Sequence, residues 1–157
     1  MPLNEEIANK KEEIYHSCKE TIRLMLAQED DELIKMSTIS AILKKNFPYY
    51  LWVGFYRLQG EELLVGPYQG SPACLRIPLG KGVCGKSASE RETIIVDEVE
   101  NFPGYIACDS RAKSEIVVPV INQQKELIGV LDVDSQYKGA FDEKDKRHLE
   151  ELIKEMF

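Results

Sequence analysis

Two pairs of apolar segments, each joined by a short polar turn, most constrain the fold of this chain. The segments are 51–58 with 63–68, joined through Gly60, and 114–121 with 127–134. Short runs rich in aromatic and β-branched residues that flank such turns are typical of β-hairpins. We therefore expect a central, mostly antiparallel sheet.

Helical patterns lie on both sides of these hairpins. Residues 4–27 carry an apolar stripe at helical spacing behind the capping residue Asn4, and a second helix is expected from about residue 30 until just before Pro48. Asp142 is placed to cap a closing helix. Shorter elements are expected near 74–78 and 93–96 as strands and near 83–89 as a helix.

The order of these elements predicts one α+β domain spanning residues 1–157. The N-terminal helices occupy 1–47, and residues 48–157 hold a six-stranded sheet, the loops and the C-terminal helix. We expect the N- and C-terminal helices to pack on one face of the sheet. A length of 157 residues suits a single core.

Charge and hydropathy exclude several classes of function. The formal net charge is −7, and the basic residues are scattered, which argues against binding to nucleic acid or to an anionic membrane surface. The acidic N-terminal stretch has no apolar core of a secretory signal, and no apolar run approaches the ~20 residues of a membrane helix. We therefore expect a cytoplasmic protein whose cysteines are thiols or redox centres.

Residues 80–87 match the phosphate-loop pattern G-x-x-x-x-G-K-[ST] letter for letter. A phosphate loop must follow a buried parallel strand and open a long helix. Pro78 interrupts the preceding strand, and the helix has room for only about two turns before Thr93. We therefore reject nucleotide hydrolysis.

The four cysteines fall into two groups. Cys18 lies on the apolar stripe of the first helix and is interpreted as a small buried hydrophobe. Cys74, Cys84 and Cys108 lie at element edges or in loops, where redox chemistry is the alternative to an incidental role. Close C-x₂-C spacing is missing and both histidines lie on distant helices, so we expect no metal site.

Physical chemistry alone does not choose the reactive cysteine. Cys84 lies near the start of a short helix, where the dipole favours a thiolate. Cys108 is followed by Arg111 and Lys113, which favour its thiolate, while Asp109 opposes it. Both cysteines therefore remain candidates at this point.

Asp132 and Asp134 are two apart in an expected strand, so both point to one face of the sheet. Glu115 begins the adjoining strand and is expected nearby. Clustered carboxylates repel and raise at least one pKa, so the group would hold an ammonium ion and supply a proton. The alternative is a solvent-facing strand end. Trp52 and Tyr56 share a face, either as core or as a wall for a small apolar group.

Several motifs in order resemble the free methionine-(R)-sulfoxide reductases, which are GAF-domain enzymes. The motifs are Trp52-Val53-Gly54-Phe55-Tyr56, Gly66-Pro67-Tyr68-Gln69-Gly70, Ala73-Cys74, Arg76-Ile77-Pro78, Gly80-Lys81-Gly82-Val83-Cys84-Gly85, Ile106-Ala107-Cys108-Asp109, Ser114-Glu115-Ile116-Val117 and Gly129-Val130-Leu131-Asp132-Val133-Asp134-Ser135. The resemblance covers residues from about 50 to the C-terminus. It implies a GAF-like fold, in which the false phosphate loop is a family turn.

The resemblance also implies roles for the cysteines. Cys108 would attack the sulfoxide, Cys74 would resolve the sulfenic acid as a disulfide, and Cys84 would be an auxiliary thiol. Thioredoxin would be the external reductant, with no resident cofactor, and family members are commonly homodimers.

The remaining roles follow from the same resemblance. Glu115, Asp132 and Asp134 would bind the substrate's amino group and polarise its sulfoxide oxygen, and Trp52 and Tyr56 would enclose the S-methyl end. The alternatives are a GAF domain that senses a small molecule without turnover and a reductase of peptide-bound sulfoxides.

Overall fold

The computed structural model describes residues 2–157, and its centre is a six-stranded sheet. The strands are β1 (Trp52–Gln59), β2 (Glu62–Gln69), β3 (Arg76–Pro78), β4 (Ile94–Val96), β5 (Ser114–Ile121) and β6 (Leu127–Ser135). Their order across the sheet is β3-β2-β1-β6-β5-β4, and neighbouring strands are antiparallel. Both expected hairpins, β1–β2 and β5–β6, are confirmed.

Within residues 2–157, four α-helices accompany the sheet. They are α1 (Glu5–Met25), α2 (Glu32–Asn46), α3 (Gly82–Glu90) and α4 (Glu143–Met156), with one 3₁₀ turn at Val99–Asn101. The Asn4 side chain accepts a hydrogen bond from the Glu6 amide at 2.8 Å, and Asp142 forms a capping box at the start of α4. Both expected caps are confirmed. None of the helices among residues 2–157 is long and apolar enough to cross a membrane.

The two faces of the sheet carry different layers. Side chains such as Val53, Leu131 and Val133 pack with α1, α2 and α4 in the larger core. Alternate residues of the same strands point to the other face, where α3 and the loops cover them. The predicted α+β layer fold, with N- and C-terminal helices on one face, is therefore confirmed.

The glycine-rich segment 80–87 is a packing turn. It follows β3, an edge strand that runs antiparallel to β2, so no buried parallel strand leads into it. A Cβ atom at Gly85 would lie 2.6 Å from the Pro78 carbonyl oxygen, which explains the glycine by close backbone approach. Rejection of a phosphate loop from the sequence agrees with this topology.

Two expected boundaries shift in the structure. The strand expected from residue 74 begins at Arg76, which leaves Cys74 in a loop. The long irregular stretch 97–113 contains the 3₁₀ turn at Val99–Asn101 and then runs to β5 without a further regular element. Both loops lie beside the site described next.

Candidate active site

A narrow cavity of about 30 Å³ opens on the α3 face of the sheet, and the space including its open mouth is about 490 Å³. The sequence-predicted residues that line it are Trp52, Tyr56, Cys84, Cys108, Glu115, Asp132 and Asp134. The eighth, Cys74, is outside the lining but is bonded to Cys108. Strand alternation and two loops thus bring the predicted residues together.

The register of β5 and β6 creates the carboxylate cluster. Glu115 lies directly opposite Asp134, and Asp132, two residues before Asp134 in β6, lies on the same face. Glu115 and Asp132 are each only 5% exposed, while Asp134 is more open to the cavity. The cluster therefore lines the inner end of an otherwise largely apolar cavity.

Burial raises the pKa of all three carboxyl groups. Loss of hydration dominates for each, and the charge of Asp132 adds to the rise at Glu115 and Asp134. These carboxyl groups therefore keep their protons to a higher pH than exposed carboxyl groups do. Such a cluster can both bind a cation and donate a proton.

One oxygen of the cluster has no partner. Asp132 Oδ1 is buried and accepts no hydrogen bond within the described part of the chain. Burying an acceptor without a partner costs roughly 1–3 kcal/mol, so it is uncommon in folded proteins. The orphaned oxygen indicates that a donor or cation from outside the chain completes the site.

Cys84 contradicts the expectation that its helix favours a thiolate. Its Sγ lies 3.9 Å from Glu115 Oε1, and its pKa is raised well above the ordinary value by burial first and by the neighbouring carboxylates second. A helix terminus contributes only about 0.3–1 kcal/mol at typical sites. Burial among negative groups therefore outweighs the dipole at this position.

Cys74 and Cys108 form a disulfide although 34 residues separate them in sequence. Their Cα atoms are 5.4 Å apart, within the usual range for a disulfide. The Tyr56 hydroxyl donates to the Cys74 carbonyl oxygen at 2.9 Å and fixes that loop against β1. Cys108 is exposed, so an external thiol can reach the bond.

A second link joins the two cysteine loops. The Arg111 guanidinium donates to Ser71 Oγ at 2.7 Å and pairs with Asp109 at the same distance. This pairing lowers the pKa of Asp109. Arg111 therefore bridges the loops, a role that its sequence position did not indicate.

Three aromatic rings line up beside the disulfide. The centroids of the Trp52 and Tyr56 rings are 5.9 Å apart, and the Tyr68 ring also stacks on Trp52, at 5.2 Å. Trp52 donates from Nε1 to the Ser71 carbonyl oxygen at 3.1 Å. Trp52 and Tyr56 thus pack in the core on the α3 face of the sheet and also form a wall of the cavity.

Part of the cavity lining comes from residues that the sequence patterns did not indicate. Tyr105, Ile106, Lys81 and Val83 also face the cavity. The first two lie in the loop before Cys108 and the others surround the start of α3, so proximity to the cysteines is the only sequence signal for them. Cys18 lies apart in the larger core, where burial raises its pKa to about 11.

Fold and cavity together define a GAF domain. The family model described as "GAF domain" matches residues 37–156, so the chain belongs to the GAF-domain family. "GAF domain-containing protein A" from Dictyostelium discoideum is 44% identical over 145 residues, covering 92% of this chain and 90% of its own length.

The relatives also define the kind of GAF domain. "Free methionine-R-sulfoxide reductase" from Escherichia coli is 36% identical over 146 residues, covering 93% of this chain and 88% of that protein. The structure of fRMsr of Staphylococcus aureus in its reduced form superposes with a TM-score of 0.86 at 46% identity, covering 90% of this chain and 92% of that one. The predicted resemblance to these reductases, and the class of oxidoreductase, are therefore confirmed.

Proposed function

We propose that this chain reduces free methionine-(R)-sulfoxide to methionine. The observation that carries the proposal is the Cys74–Cys108 disulfide beside a cavity whose inner end holds three carboxyl groups. A reductase of this kind needs a pair of thiols that oxidise together and an acid beside the sulfoxide oxygen. The names of the relatives support the same substrate.

Substrate binding uses the polarity of the cavity. Glu115, Asp132 and Asp134 would accept hydrogen bonds from the substrate's ammonium group, which supplies the missing donor at Asp132 Oδ1. Trp52 and Tyr56 would enclose the S-methyl end. An amino acid inside a peptide has no free ammonium, so this arrangement favours the free amino acid.

The chemical step is attack by the Cys108 sulfur on the sulfoxide sulfur. The sulfoxide oxygen must be protonated as its bond to methionine breaks, and a carboxyl whose pKa is raised by burial holds a proton for this purpose. The oxygen passes to Cys108 as a sulfenic acid, and methionine leaves. Either Glu115 or Asp134 would be the acid.

Recycling completes the cycle. The Cys74 thiol condenses with the sulfenic acid, which releases water and forms the disulfide. A thioredoxin-type dithiol then reduces the disulfide by exchange, so no resident cofactor takes part. We propose a cytoplasmic location, because a reducing compartment supplies such a dithiol. A homodimer stays a prediction of the family resemblance.

The test is methionine release from free methionine-(R)-sulfoxide and from its S epimer, with thioredoxin recycling. We expect turnover of the R form only, and its loss in Cys108→Ser. Cys18→Ser is the matched control, because Cys18 lies in the core on the opposite face. If Cys108→Ser retains activity, Cys84 becomes the candidate nucleophile. If the wild type turns over neither epimer, the proposal is refuted.

A second substrate separates the free amino acid from peptides. N-acetylmethionine-(R)-sulfoxide lacks the ammonium group but keeps the reacting sulfur. We expect it to react much more slowly than the free amino acid. Equal rates would contradict the proposed role of Glu115, Asp132 and Asp134 in substrate binding.

A further inference from the structure

Three different ligand types converge at the inner end of the cavity. The Cys84 thiol and one carboxylate oxygen each from Glu115 and Asp132 all lie within 4.8 Å of one another. All three side chains are at most 5% exposed. The spacing of the cysteines and histidines argues against a zinc site, but it says nothing about a set of one cysteine and two carboxylates from distant segments.

The separations suit a tetrahedral cation. A metal bound at about 2.3 Å by sulfur and 2.1 Å by oxygen holds those two atoms about 3.6 Å apart. Cys84 Sγ and Glu115 Oε1 are 3.9 Å apart, so a shift of a few tenths of an ångström brings both into coordination. The Asp132 oxygen lies within 4.8 Å of both other ligand atoms, so bringing it into a tetrahedral arrangement needs a change of about 1.4 Å at most.

An independent observation also calls for a ligand. Asp132 Oδ1 is buried within the cavity lining and has no partner among residues 2–157. A bound cation would satisfy this oxygen and offset the repulsion among the three carboxyl groups. Ammonium and metal ions both meet this need, but only a thiophilic metal also uses the sulfur of Cys84.

We propose that Cys84, Glu115 and Asp132 form a binding site for a thiophilic divalent cation of the Zn²⁺ class. The thiol releases its proton to solvent on binding, and three protein ligands leave a fourth position facing the cavity. The ion is not needed for reduction. It occupies the place assigned to the substrate's ammonium group, a consequence that rests on the proposed function.

Co²⁺ is the direct probe, because cobalt bound by a thiolate gives a sulfur-to-metal charge-transfer absorption in the near ultraviolet. The protein is used in its oxidised form, where Cys74 and Cys108 are held in the disulfide and only Cys18 and Cys84 are free. We expect the band on Co²⁺ addition and its loss when Zn²⁺ displaces cobalt. Absence of the band in folded wild-type protein would overturn the inference.

Three variants locate the ligands. Cys84→Ser should abolish the band, whereas Cys18→Ser should keep it. Asp132→Asn should weaken Co²⁺ binding roughly tenfold or more, since even supporting residues around metals contribute that much. Asp134→Asn removes a nearby charge outside the ligand set and should keep the band. A band that survives Cys84→Ser would contradict the proposed site.

Turnover measurements then separate the two proposals. Zn²⁺ should raise KM for the free sulfoxide without lowering kcat, because the metal ion and the substrate's ammonium group compete for the same carboxylates. A charge-transfer band without any sulfoxide turnover would leave the metal site standing and refute the proposed function. Normal turnover without a charge-transfer band would support the proposed function and refute the metal site.

Discussion

Buried carboxyl groups lie on both faces of the sheet, and their surroundings are opposite in kind. On the helical face, Asp145 is fully buried and pairs with Lys11. Its other oxygen accepts from the Tyr15 hydroxyl at 2.7 Å and the Tyr49 hydroxyl at 2.9 Å. Every part of this carboxylate is therefore satisfied by the chain itself.

On the cavity face, carboxyl groups face each other without a counter-ion. Glu115, Asp132 and Asp134 form no ion pair within the described residues, and Asp132 Oδ1 has no partner. Such a cluster costs stability, whereas the Asp145 network contributes to it or is at least neutral. The contrast separates groups that hold the fold from groups that await a ligand.

The largest expected effect comes from a substitution that disrupts the hydrogen bonds and the ion pair of Asp145. Asp145→Ala leaves the buried Lys11 with only the half-exposed Asp142 as a counter-ion, at 3.4 Å, and removes the acceptor of the Tyr15 and Tyr49 hydroxyls. This should cost about 3–5 kcal/mol in the free energy of unfolding. Urea unfolding followed by circular dichroism measures the loss. Lys10→Ala removes an exposed ion pair with Glu6 and should stay within about 0.5 kcal/mol of wild type. Equal losses in the two variants would contradict the distinction.

On the cavity face, removal of a carboxylate should have the opposite effect on the free energy of unfolding. Asp134→Asn removes repulsion among buried carboxyls, so the free energy of unfolding at neutral pH should stay constant or rise. It also removes a charge proposed to bind ammonium, so kcat/KM for the free sulfoxide should fall roughly 30-fold or more, as for a desolvated ion pair. Parallel urea and kinetic measurements test both. If the variant is destabilised but fully active, Asp134 stabilises the fold and does not bind the substrate.

Burial raises the pKa of Asp145 as well as the pKa of each of the three cavity carboxyls, so the dependence of stability on pH separates the two faces only through a variant. A carboxyl whose pKa is higher in the folded state contributes stability that is present below its unfolded value, near 4, and is lost as pH rises through the folded value. The free energy of unfolding should therefore lose this contribution above pH 4, at about 1.4 kcal/mol per pH unit for each titrating group. Asp134→Asn should reduce the slope in urea titrations. An unchanged slope would place the titration elsewhere.

The face of each strand residue was predictable because strands have a fixed period of two. That period places Asp132 and Asp134 together and opposite to Leu131 and Val133, as the structure has them. Helix caps at Asn4 and Asp142 were predictable because a cap is a local hydrogen bond. Most of the fold was therefore predictable from local hydrogen bonding and from the periodicity of the sequence.

Contacts between distant segments were not predictable from periodicity or physical chemistry. Cys74 and Cys108 meet because two irregular loops converge, and only the family resemblance indicated that pair. Lys11 reads in the sequence as an ordinary helix lysine, although it pairs with Asp145 across 134 positions. The expectation that the helix start favours a Cys84 thiolate was wrong for the same reason, because burial in the tertiary structure determines the pKa of this thiol.

The smallest expected effect concerns the bridge between the cysteine loops. Arg111 is exposed, so Arg111→Ala should change the free energy of unfolding by no more than about 1 kcal/mol. Loss of its bond to Ser71 should nevertheless slow closure of the Cys74–Cys108 disulfide a few-fold, because the two loops then sample more separated positions. Rapid mixing of reduced protein with one equivalent of sulfoxide, quenched by thiol alkylation, measures that rate. Arg23→Ala breaks an exposed pair with Glu155 on the helical face and should leave it unchanged. If both variants close the disulfide at the wild-type rate, the convergence of the loops does not depend on Arg111, and the fixed hydrogen bond from Tyr56 to the Cys74 carbonyl is the element that positions the resolving thiol.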